Sequence, residues 1–566
     1  MKKIKIFAKA LFILSLAFSF SCNDYLDEVN INPNGIDPAT ANPNLMLPNI
    51  LSSTAMSYTS LGYGTAGGVM QHTQKDGWFS GHNHYDWGLD DWTGWYGILR
   101  NNELMLKRAV DLKFPFHEGI ALTMRAFVYG VITDLWGDAP YTQALKGNQA
   151  EVVLFPEYDS QEVIYKGIID DLKKASELFA KKDVNGMINA NDIFYAGNIE
   201  KWHKFANSLL LRYYMRVSAK LPDIAKSGIE SVYNSGVYLK EASDDAVMDY
   251  LGAIAGNSWP ENTKFDASES NWRRIKPAKP LLDRMKQMQD PRIPVWFAPV
   301  NVQWVADPTL SVAVEEFIRK DGVIMPGTRY MTDIQFRAEI AKGFKFTRRY
   351  NPNLIPSTLV IDPDTYVGLP AGMLSPDYYN NNPTPGQTVE NQHVSQLSAA
   401  YRGANGGILK ARLASSAETA FILAEAARKG YSVGSAQTHY NNGVKNSLDT
   451  WGVGSQYAAY IAKPGVAFNN TDEQILTQKW IASWTMASES WFDYRRTGLP
   501  ALVAGEASQA PVLPVRFNYG NNEISFNNDN VTAALDKIEV TTHSGPRGKN
   551  SQWSKPWIIQ GTGKPW

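Results

Sequence analysis

Residues 77–88 form the densest group of aromatic side chains that lies outside any helical pattern. The rings in this segment are those of Trp78, Phe79, Tyr85 and Trp87. Glycine and polar residues surround the rings, which is typical of a loop. A sugar ring has one apolar face and a rim of hydroxyl groups, so exposed indoles beside polar side chains suit it. We therefore predict a saccharide-binding surface here, the alternative being that the rings pack beneath the loop onto the scaffold.

Two further loops carry aromatic side chains that a ligand could meet. Trp259 and Trp272 flank a polar insert, and Tyr378 and Tyr379 lie between a proline and a run of asparagines. Arg273 follows Trp272, and its guanidinium can donate hydrogen bonds to hydroxyls or pair with an acidic sugar. We predict that these side chains contribute to ligand binding, with packing inside each loop as the alternative.

Other kinds of site find little support in the sequence. His82, His84 and Asp86 alternate as in a run of metal ligands, but that run would need another His where Trp87 stands. We therefore expect polar loop residues there and no metal site. The chain has no Gly-x-Ser-x-Gly elbow and no phosphate-binding loop. We predict no catalytic residue and no cofactor, although a carboxylate pair for glycoside hydrolysis is defined by spatial distance and stays open.

Amphipathic helices must position these loops. Trp202, Phe205 and Leu209 recur with helical spacing, with Asn198 before them as a cap and Pro222 after them as a stop. Similar stripes recur in consecutive pairs joined by short turns. This pattern predicts a mainly α fold, a tetratricopeptide-like scaffold of helical pairs with long loop-rich and short-strand insertions. The helical blocks are predicted at about 45–238 and 411–500, and the loop-rich middle at about 240–410.

The N-terminus predicts export and a lipid anchor. Basic residues precede an apolar run too short to span a bilayer, which is typical of a cleaved signal peptide over residues 1–21. Cys22, the single cysteine of the chain, then becomes the first mature residue and resembles a lipoprotein acylation site. Acyl chains would hold the chain at a membrane, and the alternative is a secretory signal followed by a free thiol. Asp24, Asp27 and Glu28 resemble the acidic tract that directs some lipoproteins to the outer face of the outer membrane.

The charge balance argues against one class of partner. Removing the four lysines of the signal peptide from 55 Lys and Arg residues leaves 51 against 56 Asp and Glu residues, a net charge of −5. Nucleic-acid binding needs a basic surface, so nucleic acid is not an expected partner. With Cys22 acylated, no thiol remains for a disulfide, and core burial must supply the stability.

Five segments resemble the SusD/RagB-like family of outer-membrane nutrient-binding lipoproteins, whose namesake is a starch-binding protein. They are residues 27–34, 126–141, 201–216, 279–292 and 489–496. The most specific segment carries Lys201, Trp202, Phe205 and Arg212. The resemblance covers the whole mature chain and implies a single domain over residues 22–566. It also implies a helical repeat scaffold, a nutrient-binding role and a partner barrel of the SusC type, a TonB-dependent importer over which the lipoprotein sits as a lid.

The residues and the resemblance together predict a lipid-anchored protein of the outer membrane, exposed on the cell surface. We expect it to bind oligosaccharides and deliver them to the importer, with no catalytic step of its own. Two alternatives stay open. One is a glycoside hydrolase attached to the same surface, and the other is a peptide-capturing homologue of the same family.

Overall fold

The computed structural model describes residues 40–147, 152–325, 331–386 and 390–564. The predicted signal peptide and Cys22 lie outside these residues. The helices of the N-terminal block are α1 (Pro43–Tyr63), α2 (Thr65–Val69), α3 (Thr93–Leu112), α4 (Pro115–Trp136), α5 (Gln161–Ala180), α6 (Ile199–Val217) and α7 (Pro222–Ser235). From α3 to α7, each helix packs against the next along the chain.

Helix α6 shows how the sequence pattern produces this packing. The Asn198 side chain accepts a hydrogen bond from the backbone N–H of Lys201 and caps the first turn. Trp202, Phe205 and Leu209 are fully buried, and they form the predicted stripe along one face of the helix. Burying side chains of this size contributes about 2 to 3 kcal/mol each to folding.

Residues 236–409 connect the two helical blocks and form loops, short helices and short strands. The helices are α8 (Ser270–Arg274), α9 (Lys279–Gln287), α10 (Ile293–Trp296) and α11 (Asp333–Ala341). The strands of the described chain are β1 (Thr73–Lys75), β2 (Ala139–Pro140), β3 (Tyr158–Asp159), β4 (Ala246–Asp249), β5 (Ile275–Pro277), β6 (Phe297–Ala298), β7 (Val302–Ala306), β8 (Arg319–Lys320), β9 (Val323–Ile324), β10 (Phe346–Tyr350), β11 (Gln396–Leu397) and β12 (Lys410–Ala414). One sheet has the order β7-β10-β8-β9, with β10 parallel to β7. The other strands form antiparallel pairs, β1-β5, β2-β3, β4-β12 and β6-β11.

The β1-β5 pair joins two loops that are distant in sequence. Lys75 lies opposite Ile275 in its register. Beyond the last pair, the backbone N–H of Asp76 donates to the carbonyl oxygen of Arg274 at 3.1 Å. The loop after β1 is therefore held against helix α8.

The second helical block comprises α12 (Ser416–Arg428), α13 (Ala436–Thr450), α14 (Tyr457–Ile461), α15 (Asp472–Ala482) and α16 (Ala487–Thr497). Helix α12 pairs with α13 and also packs against α6 and α15, so the two blocks share one hydrophobic core. Ser415 and Thr471 cap α12 and α15 by accepting the N–H groups of Glu418 and Gln474, as the sequence indicates. The prediction of a mainly α fold built from helical pairs is confirmed.

A buried network of ion pairs joins the two blocks. Arg212 of α6 lies 2.7 Å from Glu418 of α12, and Arg216 lies 2.5 Å from Glu489 of α16. Arg216 also contacts Asp134 of α4. All of these side chains are buried, and removing one partner of such a pair costs about 3 to 5 kcal/mol because a charge is left buried alone. The network therefore fixes α4, α6, α12 and α16 relative to one another.

Residues 498–564 return to the N-terminal block and include α17 (Asn521–Phe526) and α18 (Asn528–Asp536). The indole N–H of Trp136 donates to the carbonyl oxygen of Asn518 at 2.9 Å. None of the helices in the described part of the chain combines the length and the hydropathy that crossing a bilayer requires.

Candidate functional site

The structure separates the predicted site residues into exposed and buried groups. Trp78 and Tyr378 are each 63% exposed. Phe79 and Arg273 are half-buried. The buried residues are Tyr85, Trp87, Trp259, Trp272 and Tyr379. For these buried rings, the prediction that they face a ligand is wrong.

Trp87 and its neighbour Tyr85 belong to the core beneath their loop. The loop turns inward after a single π-helical turn, Ser80–His84, and Tyr85 has a positive φ of 59°. The Trp87 ring lies edge-on to Trp491 and Phe517, with centroids 5.8 and 5.2 Å apart. These partners come from far along the chain, so the glycines around Trp87 did not indicate its burial.

Trp259, Trp272 and Tyr379 are core residues for similar reasons. Trp259 packs against three tyrosine rings, with centroids 5.1, 5.9 and 5.7 Å away. The guanidinium groups of Arg337 and Arg402 contact Trp272, at 5.0 and 5.3 Å from its ring centroid. Tyr379 joins a small apolar cluster of the middle segment. Each ring is held by packing partners, which leaves no open face for a ligand.

Trp78 is held outward by the turn that follows β1. Its backbone has a φ of 50°, in the left-handed region. The Asn83 side chain fixes this turn, because it accepts the N–H of Lys75 at 2.9 Å and donates to the carbonyl oxygen of Lys75 at 2.8 Å. The guanidinium carbon of Arg274 lies 3.6 Å from the centroid of the Trp78 ring. The ring is thus oriented by a cation–π contact and keeps enough exposed surface for a flat ligand to stack on it.

The loop that carries Tyr378 lies beside the loop that carries Phe79. The Phe79 ring packs against His84, with centroids 5.2 Å apart. The Nε2 atom of His84 lies at hydrogen-bonding distance, 2.9 Å, from the carbonyl oxygen of Met373. The side chains of Trp78, Phe79 and Tyr378 on these adjoining loops, together with the buried Arg274 that stacks on Trp78, are defined here as the aromatic face.

A buried layer of charges connects the loops of the aromatic face. Lys276 of β5 lies 3.4 Å from Asp76 and 3.8 Å from Glu390. Arg337 of α11 lies 2.9 Å from Glu390 and also contacts Glu269, at the start of α8. Burial raises the pKa of Asp76 to about 6, although the nearby Lys276 acts to lower it. This layer holds the loops of the site in place, because each of its charges is stable only beside its partner.

Arg273 takes part in the same layer rather than in the aromatic face. Its Nη1 atom lies 3.7 Å from a carboxylate oxygen of Asp333, so it links α8 to α11. The neighbouring Arg274 instead stacks on Trp78. In a helical segment, adjacent residues point in different directions, and the sequence did not show which of the two faces the loop after β1.

The two histidines of residues 77–88 have separate partners. The Nε2 atom of His82 lies 3.1 Å from the Oγ1 atom of Thr73, whereas that of His84 faces the backbone of Met373. Asp86 is exposed. Across the described ranges, no group of three or more His, Cys, Asp or Glu side chains is arranged to hold a metal ion.

Two concavities lie away from the aromatic face. A cavity of about 670 Å³ is lined by polar residues such as Lys220 and Glu425, and none of the described residues in its wall is aromatic. A cleft of about 280 Å³ is lined by Trp92, Phe155 and Phe526, among others. Phe155 and Phe526 are 62% and 73% exposed. This cleft is a second aromatic surface, and mutations in it can serve as controls for mutations in the aromatic face.

Comparisons with known proteins identify one family. A sequence profile of the SusD-like family, described as starch-binding and associating with the outer membrane, matches residues 34–307 and 364–520. No curated protein sequence gives a significant match.

Among solved structures, the chain is similar to several proteins over nearly its whole length. A chitin-binding protein has a TM-score of 0.67 at 23% identity, covering 92% of this chain and 100% of its own. A SusD homologue from Bacteroides fragilis has a TM-score of 0.65 at 22% identity, covering 92% and 99%. A chitin-binding SusD homologue from Flavobacterium johnsoniae has a TM-score of 0.62 at 20% identity, covering 91% and 97%. At these identities the similarity shows a common fold.

Proposed function

The chain belongs to the SusD-like family of starch-binding proteins that associate with the outer membrane, and on that premise we propose that it captures oligosaccharides at the cell surface. We further propose that it passes them to a SusC-like TonB-dependent importer. Two of the structurally similar proteins bind chitin, and they support a carbohydrate as the ligand.

The observation that carries this proposal is the exposed, oriented indole of Trp78. Its ring is 63% exposed and is held by Arg274 on one of its faces, so little conformational entropy is lost when a ligand stacks on it. Phe79 and Tyr378 lie on the adjoining loops and extend the aromatic surface. Sugar rings bind such surfaces through their C–H faces, while polar side chains around the rim set their orientation.

The chemistry of the aromatic face favours binding over hydrolysis. Glycoside hydrolysis needs two carboxyl groups on either side of the scissile bond. Two carboxylates of the charge layer, Asp76 and Glu390, are buried and lie beside Lys276 in ion pairs. These carboxylates hold the loops together, and this role supports a protein that releases its ligand unchanged.

The anchor and the partner complete the proposal. An acylated Cys22 would tether the mature chain to the outer membrane, and the following acidic residues would direct it to the outer face. A tethered protein of this kind raises the local concentration of oligosaccharide above the importer.

The proposal is tested by screening the protein lacking its first 22 residues against a glycan array and in affinity gels containing starch or chitin. We expect saturable binding of a glycan, and mass spectrometry should recover the bound oligosaccharide at its original length. The same protein after thermal unfolding serves as the control. Shortened products would favour a glycoside hydrolase, and retention of peptides without any glycan would favour a peptide-capturing homologue.

A further inference from the structure

A third concavity, of about 480 Å³, lies between the two helical blocks. Its wall combines the loop before α6 and the first turn of that helix with parts of β4, β12 and the C-terminal end of α13. No residue of the aromatic face lines it. A cavity of this size lies within the range of small-molecule binding sites, so the chemistry of its wall indicates which ligand it suits.

Arg412 of β12 brings a buried positive charge to this wall. The residue is 5% exposed, and its guanidinium carbon lies 4.3 Å from the centroid of the Trp451 ring. Its hydrogen bonds go to the backbone carbonyl oxygens of Ile408 and Lys410, at 3.2 to 3.3 Å. None of the described carboxylates forms an ion pair with it. Carbonyl oxygens carry no net charge, so Arg412 has no counter-ion of its own.

Other buried arginines of the scaffold do have a counter-ion. Arg212 and Arg292 each donate from Nε and Nη2 to a carboxylate, at 2.5 to 2.9 Å. Arg516 donates to carbonyl oxygens, as Arg412 does, but it does not line this cavity. A buried charge without a partner is costly. Arg412 combines that cost with a place in a cavity wall, where an anion from outside the chain can lie.

Lys201 of α6 adds a second positive charge to the same wall. Its Nζ atom donates to the carbonyl oxygen of Ser243 at 2.6 Å, and none of the described carboxylates pairs with it. An ammonium group has three N–H donors, so donors remain for a ligand. Lys201 is half-buried and therefore keeps some access to solvent.

The wall as a whole carries one net positive charge at neutral pH. Lys410 and Asp449 each form an ion pair with a neighbouring residue. Asp245 is buried and accepts hydrogen bonds from a backbone N–H and a hydroxyl group, at 2.7 and 3.1 Å. With the two ion pairs set aside, the charges of Lys201 and Arg412 exceed that of Asp245 by one. Such a wall favours a ligand with a single negative charge.

We propose that this cavity binds a small sugar acid, a hexuronate, through its carboxylate. The carboxylate would accept a hydrogen bond from the Lys201 ammonium, and the Arg412 guanidinium would supply the second positive charge. The hydroxyl group of Thr450 and the backbone of Gly407 and Gly452 also line the cavity and suit the hydroxyl groups of a sugar. An amino acid suits the wall less well, because its ammonium group adds a positive charge to a wall that already has one in excess.

The test compares glucuronate with glucose, which have the same ring but differ in the carboxylate. We expect titration calorimetry of the protein lacking its first 22 residues to show that sodium glucuronate binds at least about tenfold more tightly than glucose, as hydrogen bonds to charged groups allow. Sodium acetate supplies the carboxylate without the sugar ring. It should also bind at least about tenfold more weakly than glucuronate.

Variants of the two cations locate the site. Arg412→Met and Lys201→Met should each lower the affinity for glucuronate by about tenfold. Lys220→Met is the matched control, because Lys220 lines the cavity of about 670 Å³ and its Nζ atom likewise donates to a carbonyl oxygen, that of Gln560 at 2.9 Å. This control should leave the affinity unchanged. Circular dichroism checks folding, and the half-buried Lys201 provides the decisive variant if the buried Arg412→Met does not fold.

Several outcomes would overturn the inference. They are no binding of glucuronate, equal affinity for glucuronate and glucose, and an affinity for acetate equal to that for glucuronate. Unchanged affinity in folded Lys201→Met, or an equal loss in Lys220→Met, would place the anion outside this cavity and refute the inference as well. The aromatic face has no part in this site, so binding of a neutral glycan on the array without binding of glucuronate would refute this inference alone and leave the proposed function intact.

Discussion

Replacing Trp259 with Ala tests the assignment of this ring to the core. Trp259 is 0% exposed, and it contacts three tyrosine rings at centroid distances of 5.1, 5.9 and 5.7 Å. Truncating a fully buried Trp removes its transfer free energy and leaves a cavity, which together cost about 3 to 5 kcal/mol. Its indole N–H has no hydrogen-bond partner in the described chain, so we expect this cost to come from packing.

The matched variant is Trp78→Ala, at a ring that is 63% exposed. Its loss removes a cation–π contact with Arg274, which contributes about 0.5 to 1 kcal/mol at an exposed site. Denaturant unfolding followed by far-ultraviolet circular dichroism measures both variants in the same protein lacking its first 22 residues. We expect the unfolding midpoint to fall much further for Trp259→Ala. Comparable losses in the two variants would refute the division into buried and exposed rings.

Three further predictions address the scaffold, the anchor and the pH dependence. Phe205→Ala should destabilise the fold by about 3 to 5 kcal/mol, because it opens a cavity in the core; an unchanged melting curve would contradict the packing of α6. Cys22→Ala should release the protein from outer membranes on fractionation. The control variant Ser21→Ala should stay bound to a greater extent than Cys22→Ala. A Cys22→Ala variant that stays with the membranes at high salt, away from any partner barrel, would place the anchor elsewhere. Burial raises the pKa of Asp245 to about 6, so the folded state holds a proton that the unfolded state releases at lower pH. The free energy of unfolding should therefore fall by about 2 to 3 kcal/mol as the pH rises from about 4 to about 7. Urea unfolding of Asp245→Asn over the same pH range should lack this decrease. An equal decrease in both proteins would contradict the raised pKa of Asp245.

The helical scaffold could be predicted because its signals are local. Helical spacing of apolar residues and capping side chains act within one or two turns, and Asn198, Ser415 and Thr471 all cap the helices that the sequence indicates. The loops give no such period. Whether Trp87 is buried depends on Trp491 and on other residues hundreds of positions away, so the sequence alone left its exposure open.

The segments that carry the family resemblance describe the scaffold rather than the candidate site. Asp134, Arg212, Arg216 and Glu489 all lie in those segments, and in the structure they form the buried ion-pair network. A buried charge requires its partner, which ties these residues to one another. Trp78 lies outside those segments. Its contact with Arg274 depends on the β1-β5 pair, which holds the loop after β1 against helix α8.

The affinity of Trp78→Ala for the glycan that the array identifies tests the central claim most directly. Because Trp78→Ala removes the ring on which the ligand stacks, titration calorimetry should show a loss of about tenfold in affinity. The fold should stay intact. The control is Phe526→Ala, which removes a ring that is 73% exposed in the second aromatic cleft and should leave the affinity unchanged. Unaltered affinity in Trp78→Ala together with lost binding in Phe526→Ala would contradict the account and would move the site to that cleft.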